Sequence, residues 1–164
     1  MKINKAEKFL QKVDLDKYQI FICASPLSIP FNGFLHAYIV VNEKSKLTRW
    51  DVWHIKNRVD TSVGYVHKNT YKPWTGLGML YGDSIIEQKL RWPIFIINTI
   101  TGEKESLAYK MCDFINTKAF AYPLKDKYNF LGPNSNTFVR WYLNYFPEAG
   151  IKLPIRAFGG NCAI

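Results

Sequence analysis

Histidine and cysteine are scarce, three of each in the whole chain, and acidic residues number only 13 against 22 Lys and Arg. So few ligating side chains, widely spaced, make no paired metal-binding motif. An odd number of cysteines (Cys23, Cys112 and Cys162) leaves at least one unpaired within the chain. No apolar run approaches the roughly 18 residues of a membrane-spanning helix. The most apolar early stretch, Tyr18 to Val41, is broken by Pro26, Pro30, Asn32 and Gly33. The amino-terminal lysines are interrupted by Glu7, Asp14 and Asp16 before the short Ile20–Ala24 apolar stretch, which does not fit a secretory signal. The expectation is a soluble protein that stays in the cytoplasm or leaves by a specialised route. Gly76-Leu77-Gly78 lacks the downstream Gly-Lys-Ser/Thr of a phosphate loop. No metal and no cofactor is expected.

What the chain does have is aromatic bulk: 11 Phe, 10 Tyr and 5 Trp in 164 residues. That is enough apolar surface for one compact domain over 1–164, with residues 1–17 as a helical amino-terminal extension. The net charge of +9 favours encounter with an acidic partner surface. The lysines are scattered rather than packed as a basic arm, and no RNA-binding or zinc-finger pattern accompanies them, so nucleic acid is not the expected partner.

Apolar periodicity predicts helices over Ile3–Val13, Glu103–Asn116 and Asn134–Phe146, the last stopped by Pro147. Strands are predicted at Lys17–Ala24 and Ile94–Thr99, and a hairpin at His36–Val41 and Leu47–Ile55 about the turn Asn42–Lys46. Period two puts His36, Tyr38 and Val40 on one face of the first hairpin strand. Arg49, Asp51 and Trp53 share one face of the second. Arg58 to Gly82 reads as irregular. The fold class is α+β, a small antiparallel sheet packed against helices.

The stretch Leu-Gly-Pro-Asn-Ser-Asn-Thr-Phe, Leu131 to Phe138, carries the candidate chemistry. Asn134 and Ser135 stand where a helix begins, and either can cap it. The same geometry lets amides near Asn134 and Asn136 hold an oxyanion, with the helix field favouring negative charge. A serine hydroxyl needs a base before it attacks, and His36, opening an apolar strand, is the best placed. Asp51 can orient that imidazole if the hairpin brings their faces together; pairing with Arg49 is its plainer role. Trp50, Trp53, Trp74 and Trp92 either line a substrate groove or support packing. Cys23 and Cys112 read as core, Cys162 near the carboxyl end as exposed or cleft-facing, and Asp83 with Glu87 as a solvated acidic edge.

Gly132-Pro133-Asn134-Ser135-Asn136-Thr137-Phe138-Val139 resembles the hallmark of the DUF3750 family. The similarity continues through His36-Ala37, Arg49-Trp50-Asp51-Val52, Pro147-Glu148 and Leu153-Pro154, over about residues 34–160. That family in turn is similar to the circularly permuted NlpC/P60-like branch of papain-like proteins. The resemblance implies a permuted papain-like fold in which Asn134-Ser135 stands for the usual Asn-Cys pair. It also implies His36 as base and Asp51 as third member. Ser135 occupies the expected cysteine position, and a hydroxyl is far less acidic than a thiol. Two functions follow as expectations. One is a hydrolase or acyltransferase attacking an amide or ester of a peptide, lipid or protein; the other is a non-catalytic module that binds such a partner in the same cleft.

Overall fold

The computed structural model describes residues 5–27, 30–76 and 93–159. Among them a six-stranded antiparallel sheet carries three helices. β1 (Tyr18–Pro26), β2 (Leu35–Glu43) and β3 (Lys46–Val52) form its centre. A small hairpin of β4 (Ser62–Val63) and β5 (Val66–Lys68) extends one side, and β6 (Phe95–Gly102) closes the other. The order across the sheet is β4-β5-β3-β2-β1-β6. The short helix α1 (Lys5–Leu10) precedes the sheet, and α2 (Leu107–Lys118) and α3 (Ser135–Asn144) follow it.

The two faces have different covers. Ile20, Ile22, Ile39, Val41, Trp50 and Val52 pack under Met111 and Ile115 of α2 and Phe138 and Val139 of α3. On the other face, Phe9 of α1 closes over Phe21, Cys23, Tyr38 and Val40. β1 and β2 are buried on both sides and read as apolar runs, as central strands must. The β2–β3 turn takes positive φ at both Lys44 (49°) and Ser45 (77°), the twist that matches a two-residue hairpin.

Several boundaries differ from the sequence expectation for local reasons. α1, described from Lys5, ends at Leu10 rather than Val13, and the second hairpin strand ends at Val52, not Ile55. α2 starts at Leu107 because the Ser106 hydroxyl accepts from the Tyr109 amide and fixes the cap there. The stretch expected to be irregular contains the β4–β5 hairpin. Gly64 turns it with φ 64° and lies so close to the Lys125 carbonyl that a Cβ would sit 2.2 Å from it.

Candidate functional site

α3 begins with a complete capping box. Asn134 Oδ1 accepts from the amides of Asn136 (2.9 Å) and Thr137 (3.3 Å), and the Asn134 amide donates to Thr137 Oγ1 at 3.1 Å. Asn134, and not Ser135, is therefore the cap. Ser135 is the first helical residue, and its hydroxyl makes no hydrogen bond among the described residues. The Asn134 and Asn136 amides, expected at an oxyanion, have their donors occupied differently: the Asn136 amide is held by the cap and the Asn134 amide by Thr137. Of these three amides only that of Ser135 is left unengaged among the described residues.

Asn136 explains how this helix mouth reaches the sheet. The β2–β3 ladder ends at Ile39↔Trp50. Past that pair the Asn136 side chain takes the place of the missing strand: its Oδ1 accepts from the Ala37 amide (2.9 Å), and its Nδ2 donates to the Leu35 carbonyl (2.9 Å). The mouth of α3 thus enters the fork between β2 and β3 on either side of His36. Nδ2 also donates to the Phe158 carbonyl at 2.7 Å, so both of its hydrogens are used.

His36, Ser135, Asn134, Asn136 and Tyr128 line one cavity of about 20 Å³, room for roughly one water. His36 lies behind it, its Nε2 2.7 Å from Asp51 Oδ1. Asp51 Oδ2 accepts from Arg49 Nε (3.1 Å) and Nη2 (2.7 Å). Arg49 Nη1 donates to the carbonyls of Lys72 and Thr75, and its guanidinium lies 3.6 Å from the Tyr38 ring centroid. All three members of this Arg–Asp–His chain are buried. Burial pushes the Asp51 carboxyl up, but His36 and Arg49 together outweigh it and hold the group below its ordinary range. An ionised carboxylate only accepts, so a neutral His36 must carry its proton on Nε2, which leaves the Nδ1 lone pair to take a proton. Among the described residues Nδ1 has no hydrogen-bond partner, and no hydrogen bond joins it to Ser135, although both residues line the same cavity.

The other expected site residues separate. Trp53 packs edge-on against His36 with ring centroids 5.4 Å apart, supporting the imidazole from outside the cavity. Trp50 lies in the helix-side core, where its Nε1 donates to Asn116 Oδ1 at 3.0 Å, and Trp74 joins Phe9 on the far face. Neither lines the cavity: period two turns Trp50 to the helix side of β3, and Trp74 lies in a turn packed on the opposite face. Cys23 and Cys112 are buried, and desolvation pushes each thiol up to about 12, far from a reactive thiolate. Asp83, Glu87, Trp92 and Cys162 lie outside the described residues. Sequence reasoning missed Tyr128, whose phenol burial holds protonated by pushing it up to about 12. It lies in an irregular connector with no periodicity to mark it.

The molecule is thus an α+β protein whose sheet carries a buried Arg–Asp–His chain behind a serine at a helix mouth. It belongs to the family described as "Protein of unknown function (DUF3750)", whose model matches residues 22–162 and so takes in β1 from its fifth residue. No curated protein and no solved structure matches the chain.

Proposed function

We propose that this protein is a serine-dependent hydrolase or acyltransferase of papain-like, NlpC/P60-like descent, acting on an ester or amide carbonyl. The observation that carries this reading is the pairing of His36 Nε2 with ionised Asp51, which leaves Nδ1 with a free lone pair on a residue that shares its cavity with Ser135, whose hydroxyl has no partner among the described residues. As Ser135 Oγ adds to the carbonyl carbon, its proton passes to His36 Nδ1. The Ser135 amide, at the positive end of α3, donates to the oxyanion, and the Tyr128 phenol is a second donor. Collapse expels an alcohol or amine that takes the proton from His36 and leaves an acyl-Ser135 ester. Water or an acceptor nucleophile then resolves that ester. Asp51 supports the imidazolium through the cycle, and Arg49 keeps Asp51 ionised and aimed.

Apo catalytic hydrogen bonds are commonly long, so a Ser135–His36 contact that closes only on substrate is compatible with this chemistry. The test needs no natural substrate. A fluorophosphonate probe should label Ser135, with oxygen displacing fluoride at phosphorus, and peptide mass mapping locates the adduct. Ser135→Ala and His36→Ala should abolish labelling while the far-ultraviolet spectrum is retained. Absence of an adduct on folded protein favours the rival reading, a cleft that binds without reacting.

A further inference from the structure

The cavity opens onto exposed phenylalanines from three separate segments. Phe31, Phe34, Phe130 and Phe158 are 37%, 36%, 41% and 46% exposed, unusual for so many neighbouring rings. Phe130 meets Phe31 and Phe34 at centroid distances of 5.1 and 5.9 Å, and Phe34 meets Phe158 at 5.9 Å. This collar is built rather than incidental. Asn134 Nδ2 donates to the carbonyls of both Phe130 (2.9 Å) and Phe158 (3.1 Å), tying two rings to the cap beside Ser135. Arg156 Nε and Nη2 donate to the Gly33 and Asn32 carbonyls at 2.6 and 3.3 Å and brace the loop bearing Phe31 and Phe34.

We propose that the collar is the acyl-chain site of the same centre, so that the substrate is an ester or amide of an apolar acyl group. The chemistry rests on the Ser135 reading; the binding does not. The cavity of about 20 Å³ has room for roughly one water-sized group, so the rest of a substrate lies along Phe34, Phe130 and Phe158, which line its mouth. Among the described residues no carboxylate, lysine or arginine lines the cavity to hold a charged chain. A peptide finds no open ladder at this point, since Asn136 already occupies the Ala37 amide and Leu35 carbonyl. The probes are acetamide, hexanamide and decanamide, titrated calorimetrically into full-length Ser135→Ala protein. Affinity should rise about twofold to threefold per methylene, less than the roughly fourfold of full burial because one side of the chain stays wet. Phe130→Ser and Phe34→Ser should each flatten that rise, with Phe158→Ser replacing either one that fails to fold. A flat series, a slope indifferent to these substitutions, or tighter binding of N-acetyl-Gly-Gly-amide than of decanamide overturns the proposal. Turnover of p-nitrophenyl decanoate by the unaltered protein separates the two readings. Chain-length-dependent binding without Ser135-dependent turnover keeps the collar and removes the reaction.

Discussion

At the scale of single residues, the division of labour between Asn134 and Ser135 decides how the helix mouth is read. Asn134 satisfies the orphan amides of α3 and Ser135 does not, although both residue types are good caps. Asn134→Ala should therefore cost about 0.5–2 kcal/mol in urea unfolding. Ser135→Ala should stay within about 0.5 kcal/mol of the unaltered protein while losing the fluorophosphonate adduct. Equal destabilisation by the two changes would return Ser135 to a structural role. Asp51 is a different case. Asp51→Asn strips the buried Arg49 guanidinium of its counter-charge, a change that costs about 3–5 kcal/mol when one partner of a buried pair is lost. A loss of that size in the unfolding midpoint is expected even if no reaction exists, so Asp51 variants report on the charge chain and not on catalysis.

Between elements, the joint that matters is Asn136, which substitutes for a strand where β2 and β3 part. Asn136→Ala leaves the Ala37 amide and the Leu35 carbonyl without their partner, at about 1–3 kcal/mol for each that stays dry, whereas the Phe158 carbonyl keeps its bond from Asn134. Hydrogen exchange offers a local check. The Ala37 amide should be protected in the native protein and exchange much faster in the variant, whereas the Ile39 amide, inside the ladder, should hardly change. This joint also marks where the sequence stopped being legible. Period two correctly put His36 with Tyr38 and Arg49 with Asp51, because both strands are regular and the turn at Lys44-Ser45 fixes their alignment. The helix stripe of Phe138, Val139 and Tyr142 was equally plain, since 3.6-residue spacing survives without knowledge of the partner. That Asn136 would cross 99 positions of sequence to bond Ala37 had no local signature. Nor did the roles of Trp50 and Trp74, which depend on which cover lies over each face. The collar escaped for the same reason: Phe31, Phe34, Phe130 and Phe158 follow no common period and meet only once the loops are tied.

For the molecule as a whole, the sheet's buried charge makes stability depend on pH in two separable windows. His67 is buried on β5 directly opposite Asp51, with Nδ1 2.7 Å from the Ser62 hydroxyl and Nε2 without a partner among the described residues. Desolvation lowers its affinity for a proton, outweighing the Asp51 carboxylate that raises it. The unfolded chain, with an ordinary imidazole near 6.5, then binds protons that the folded state refuses, so stability is full above about pH 6.5 and falls as pH drops below it. Asp51 acts lower. Its depressed native value means that its contribution is full above about pH 3.9 and is lost as pH falls through the native value. His67→Asn keeps an acceptor for the Ser62 hydroxyl but cannot titrate. It should flatten the decline in melting temperature between pH 7.5 and 5.5 and leave the steeper acid limb below pH 4 in place. If the upper decline persists undiminished in that variant, His67 is not its source, and His54, which burial also pushes below the ordinary imidazole value, is the group to replace next.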